Sequence, residues 1–162
     1  MRYFILIFIF SLSVSHADST IEFGPTLLSG DYAHGRFVFV EERIGKIGLG
    51  LGYISEQRVD TNGDLFHLDP NIFVSAQRYF HIGQVELGVG PAYFQNRNRA
   101  LSRNLTIAAS IGIDHKRWSI KFRHYSNAGS GPIRCFDDPN RSQGWNCHSN
   151  LGQDAVTIGY RF

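Results

Sequence analysis

Beyond its first residues this chain has no long uninterrupted apolar run. A transmembrane helix needs about 20 consecutive apolar residues, so none is expected. No stretch shows a convincing helical period either, which argues against a helical fold. Charge of one sign is also missing. The 16 Lys and Arg stand against 14 Asp and Glu, a net charge of +2, and no nucleic-acid partner is expected. Cysteine is scarce: only Cys135 and Cys147, both in one polar segment. In an exported protein such a pair reads as a disulfide closing a single loop. That closure would stabilise by about 3 kcal/mol in the chain-entropy model. A metal pair assisted by His148 is the competing reading, disfavoured because no second pair of ligands lies nearby.

What is present begins at the amino terminus. Met1-Arg-Tyr is followed by an apolar stretch from Phe4 to Val14 and then by Ser15-His-Ala17. This is the pattern of a secretory signal, too short in its apolar core to span a membrane. Cleavage is expected after Ala17, leaving residues 18–162 as one domain with a net charge of about +1.

Period-two alternation recurs through those residues. Ile47, Leu49, Leu51 and Tyr53 alternate with Lys46, Gly48, Gly50 and Gly52. Val85, Leu87, Val89, Pro91 and Tyr93 share one face, as do Leu105, Ile107, Ala109, Ile111 and Ile113. So do Trp118, Ile120, Phe122, His124 and Ser126, and finally Val156, Ile158, Tyr160 and Phe162. Each run predicts a strand with one apolar and one small or polar face. Weaker strands are placed near 20–29, 35–42 and 66–79, where Pro70 blurs the register. The count is eight. Short links near Glu42-Arg43-Ile44-Gly45, Phe80-His81-Ile82-Gly83 and Asp114-His115-Lys116-Arg117 contrast with longer polar links at 55–65, 95–103 and 128–152. The link near Ser29-Gly30-Asp31 is short and breaks the neatness of the pattern.

This predicts an all-β fold, an eight-stranded antiparallel up-and-down β-barrel. Alternation does not say which face looks outward, since a soluble barrel buries its apolar face and a membrane barrel exposes it. Three features favour a transmembrane barrel. The polar face is rich in Gly, Ala and Ser with a few charges, suiting a narrow filled bore. Tyr53, Tyr93, Trp118, Phe122, Tyr160 and Phe162 fall near strand ends, where interfacial girdles form. The last strand ends on phenylalanine, which resembles the signal read for insertion into a bacterial outer membrane.

With tight turns in the periplasm, the strand holding His124 and Ser126 rises to the outer rim. Two residues apart in a strand, these side chains project from one face with Cα atoms about 7 Å apart. Asp154 begins the next strand at the same rim and shares the outward parity of Val156, so it can approach His124. A serine hydroxyl is a poor nucleophile until a base takes its proton. Histidine does this near neutral pH, and a carboxylate fixes its tautomer. Asn127 and the turn at Ala128-Gly129 directly follow the serine and can donate amide groups to an oxyanion. The bland alternative is a rim histidine and serine bonded to lipid or water, with Asp154 merely starting a strand. His148-Ser149-Asn150 is a second such string, but adjacent residues in an extended chain face opposite ways. Asp137 and Asp138 lie mid-loop without a register to bring them in.

The stretch Phe122-Arg-His-Tyr-Ser-Asn-Ala-Gly129, with Asn150-Leu-Gly-Gln-Asp154, resembles the outer-membrane lipid A 3-O-deacylases (PagL-type). The match covers mainly the last forty or so residues. It implies that His124 is the base, Ser126 the nucleophile, and Asn127 and Gly129 the oxyanion-associated residues. Asp154 falls where the family has glutamate, one methylene longer. The loop between the motif halves is also longer here and carries the two cysteines. The implied reaction is hydrolysis of the 3-O-linked acyl ester of lipid A in the outer leaflet, releasing a 3-hydroxy fatty acid, with no metal or cofactor. The partners are then lipopolysaccharide and outer-membrane lipid, with a homodimer open. Arg97, Arg99 and Arg103, with Arg134 and Arg141, suit lipid A phosphates, although a solvated loop would also carry them. The rivals are a non-catalytic structural or adhesion barrel and an esterase acting on phospholipid.

Overall fold

The computed structural model describes residues 18–28, 31–61, 64–98, 101, 103–127 and 152–162. Ten strands form: β1 (Asp18–Leu28), β2 (Asp31–Ile44), β3 (Ile47–Ile54), β4 (Gln57–Thr61), β5 (Asp64–Leu68), β6 (Asn71–Ile82), β7 (Val85–Phe94), β8 (Leu105–His115), β9 (Trp118–Asn127) and β10 (Gln153–Arg161). Eight of them close an antiparallel barrel in the order β1-β10-β9-β8-β7-β6-β3-β2. The expected eight-stranded barrel is therefore present. The signal segment and both cysteines lie outside the described residues.

Two sequence expectations need correcting. The link at 55–65 is not simply a polar loop: β4 and β5 pair as a separate hairpin. The strand expected over 66–79 is two elements, because β5 stops at Leu68 and β6 starts at Asn71. Pro70 lies in the break, where a residue lacking an N–H costs the ladder nothing.

The three tight turns, Gly45-Lys46, Gly83-Gln84 and Lys116-Arg117, lie at one end of the barrel, each with positive φ at its first residue. That sense of turn matches the twist of the flanking strands. The longer links gather at the opposite end, hereafter the loop end.

The apolar parity faces outward. Leu49 and Tyr53 of β3, Val89 and Tyr93 of β7, Ile107 and Ile111 of β8, Ile120 and Phe122 of β9, and Ile158 of β10 are all exposed. Phe122 sits mid-strand rather than near an end. At the tight-turn end Trp118 packs edge-on against Tyr160, with ring centroids 4.9 Å apart.

The bore is filled in two layers. Toward the tight turns lie three carboxylates, Glu22, Glu41 and Glu86, with three cations, Arg43, Lys121 and Arg123, all buried. Arg123 donates to both oxygens of Glu22 at 2.7 Å. Lys121 bridges Glu22 at 3.1 Å and Glu86 at 2.9 Å. Arg43 pairs with Glu86 and, at 2.8 Å, with Glu41, which also accepts from the Tyr79 hydroxyl at 2.5 Å. Toward the loop end the filling is aromatic. Phe37, Phe39, Phe73, Phe94 and Tyr125 form one buried cluster, joined by Leu68 and Leu101 from the connections at that end. Phe73 stacks on Phe94 at 4.6 Å and meets Tyr125 at 4.9 Å. The rings fit because β3 presents glycine: a Cβ at Gly50 or Gly52 would lie 2.0 Å from the tip of Phe39 or Phe73.

Candidate active site

Because β9 and β10 are consecutive in the barrel wall, their register decides which outward residues meet. Asp154 is the Cα partner of His124. His124 Nδ1 and Asp154 Oδ1 are 2.5 Å apart, a hydrogen-bonded contact closer than the usual charge-assisted N–H···O bond of about 2.7–2.9 Å. The aspartate reaches the imidazole because it sits directly across the ladder, where non-hydrogen-bonded and hydrogen-bonded pairs alike bring side chains close. The His124 side chain is 39% exposed and that of Asp154 only 8%. The carboxylate is thus less exposed than outward parity alone predicted.

An imidazole that donates its Nδ1 proton to a carboxylate presents Nε2 as a lone pair. That nitrogen lies on the far side of the ring from Asp154. Ser126 lies two residues further along β9 on the same face, and both it and His124 are half-exposed. Asn127 closes β9 and pairs with Thr106 of β8. Gly129 lies outside the described residues.

Gly152 was not singled out by the sequence reading, although it is the glycine of the Asn-x-Gly-x-acid stretch. Its φ is +61°, and a Cβ there would lie 2.7 Å from His124 Cε1. The chain thus enters β10 in the left-handed region, where L side chains are strained, and its bare Cα abuts the ring edge between the two nitrogens.

Behind this outward pair, the intervening residues face the bore. Arg123 and Tyr125 flank His124 in sequence and are fully buried. Arg123 ties β9 to β1 through Glu22, and Thr157 of β10 donates to the same carboxylate at 3.0 Å. The strands carrying His124 and Asp154 are therefore joined across the inside of the wall as well as by the ladder. The sequence reading saw a few charges on a small-residue face and did not anticipate this network.

The arginines proposed for phosphate are not brought to the pair by any described contact. Arg97 is exposed and donates Nε–H to Asn104 at 2.9 Å; Arg103 is exposed and engaged. Arg99, Arg134 and Arg141 lie outside the described residues. A second titratable group at the tight-turn end unites His81, Glu86 and Asp114, with ligand atoms within 4.8 Å of one another. Glu86 there is already held by Arg43 and Lys121, so the group reads as the rim of the ion network.

The class so defined is a closed eight-stranded antiparallel barrel with an imidazole–carboxylate pair on its outer wall at the loop end. Compared with known proteins, the chain matches no family model and no curated sequence.

Proposed function

We propose that this chain is an outer-membrane barrel and a serine esterase that hydrolyses the 3-O-linked acyl ester of lipid A. The observation that carries the reading is the 2.5 Å contact between His124 Nδ1 and Asp154 Oδ1 on the outer wall, with Ser126 beside it on the same face. A membrane setting is supported by the outward apolar belt around a charged bore, the reverse of a water-soluble barrel. Outer-membrane barrels turn their long loops outward, and a pair at the loop end would then face the leaflet that holds lipid A.

In this mechanism His124 Nε2 takes the Ser126 hydroxyl proton as Oγ bonds to the ester carbonyl carbon. The charge that develops on the carbonyl oxygen falls to amide donors at Asn127 and Gly129. Collapse breaks the bond to the sugar 3-oxygen, which leaves with the proton from His124. Water then gives a proton to His124 and attacks the acyl-enzyme, freeing the 3-hydroxy fatty acid and restoring Ser126. Asp154 holds the tautomer and stabilises the imidazolium.

Mass spectrometry of lipid A from cells with and without the protein tests this. The wild type should remove one hydroxyacyl chain, and Ser126→Ala should abolish that loss while the barrel still shows heat-modifiable migration. Asp154→Ala should lower the rate by at least about a hundredfold. Asp154→Glu should retain activity without gain, since the aspartate already reaches. Altered phospholipids with intact lipid A would favour a phospholipid esterase, and no lipid change at all a non-catalytic barrel.

A further inference from the structure

We propose that Ala109 forms the seat for the substrate's acyl chain, a notch in the outer wall that admits hydrocarbon along β8. The inference rests on the esterase reading above and names where its apolar substrate lies.

His124 has two Cα partners in the wall, Asp154 of β10 and Ala109 of β8. With Nδ1 engaged by Asp154 on the β10 side, Nε2 is the ring nitrogen left to take the Ser126 proton. The partner of Ser126 on β8 is Ile107. An ester carbonyl at the serine oxygen sits on β9, from which its acyl chain can run over β10 or over β8. The β10 side of the histidine offers a carboxylate, which is no seat for an alkyl chain.

The outward residues of β8 are Leu105, Ile107, Ala109, Ile111 and Ile113, and all but Ala109 are large exposed aliphatics. Ala109 thus leaves a depression between Ile107 and Ile111. Its flanks are Val89 on β7 and the His124 ring on β9, with Phe122, the partner of Ile111, the next outward residue of β9 toward the tight turns. An acyl chain that starts at Ser126 and runs toward the tight-turn end meets this depression one step past Ile107. Its walls are aliphatic and aromatic, the lining that hydrocarbon selects. Among described outward side chains of the barrel strands, the other alanine is Ala76 on β6. It is two strands from β8 and serves as an internal control.

The test uses the purified full-length barrel in detergent micelles, with p-nitrophenyl butyrate and p-nitrophenyl palmitate as probes. Ala109→Leu should lower the palmitate-to-butyrate rate ratio by about tenfold or more, since filling a seat by a few carbons discriminates on that scale. Ala109→Val should give a smaller fall, and keeps the test intact if the leucine variant does not fold. Ala76→Leu should leave the ratio unchanged. A folded Ala109→Leu with an unaltered ratio would overturn the inference, leaving the esterase reading standing. An equal loss on both esters would also overturn it, because the residue would then act on His124 rather than on the chain. If the wild type cleaves neither ester and leaves lipid A intact, the esterase reading itself fails and the seat falls with it.

Discussion

The two halves of the barrel's bore are filled by opposite means. Toward the tight turns, Glu22, Glu41 and Glu86 face Arg43, Lys121 and Arg123; toward the loop end, Phe37, Phe39, Phe73, Phe94 and Tyr125 pack ring on ring. The charged half is directional, since each carboxylate oxygen has a particular donor and a shifted strand would strand a charge. The aromatic half asks mainly for volume, with a preference for tilted or offset rings worth about 0.5–1.5 kcal/mol a pair beyond burial. Arg123 lies at the seam, paired to Glu22 below and 4.3 Å above the Phe39 ring. The charged half thus specifies register, while the aromatic half backs the wall that carries His124 and Ser126.

That contrast can be broken most severely at Glu22. Glu22→Gln changes little in size but leaves Arg123 and Lys121 without their shared carboxylate. The expected cost is about 3–5 kcal/mol, read as a lower urea midpoint for the heat-modifiable shift. A loss below about 1 kcal/mol would show that water or Glu86 takes over and that the network is not directional.

The next largest effect is on the outer wall. Gly152→Ala places a methyl against His124 Cε1 and, on the proposed esterase function, should lower turnover by about a hundredfold, the scale of an ångström misplacement of a reacting group. Its effect on stability should be about 1 kcal/mol, the cost of a left-handed non-glycine residue. Equal activity in the variant and the wild type would remove Gly152 as a positioning residue.

Phe73→Leu, a comparable change in the aromatic half, should cost only about 1–2 kcal/mol, because neighbouring rings relax into the space. If it costs as much as Glu22→Gln, the two halves do not differ in tolerance. The smallest effect is expected at Tyr125, whose buried hydroxyl has no hydrogen-bond partner among the described residues. Tyr125→Phe should leave stability unchanged or raise it by up to about 1 kcal/mol, since it removes an unsatisfied group. A clear loss in calorimetry or urea titration would mean that the hydroxyl is bonded.

The same division explains how far the fold was legible. Where one parity is apolar and the other small, as at Ile47 to Tyr53 or Leu105 to Ile113, alternation located the strand and its outward face. At Phe37-Val38-Phe39-Val40 both parities are apolar, because Phe37 and Phe39 fill the bore while Val38 meets the outside. The period-two signal vanishes there, and the strand read as weak. The β4–β5 hairpin is too short to show a period, and its bounding Pro70 was read as a blur within one strand rather than as a break between two. At the site, consecutive antiparallel strands and shared parity sufficed to bring Asp154 to His124. The exact register did not follow from that logic, and neither did the Gly152 contact, which depends on one backbone dihedral.

The pairing of Asp154 with His124 has a consequence for how such a protein can change. Both residues belong to barrel strands whose ladder and buried ions set their separation. The distance from acid to base is thus a property of the wall. A slip of β10 by one residue against β9 would carry Asp154 off His124 and turn the Glu22 ladder out of step in the same movement, so the outer pair and the buried ions can only vary together.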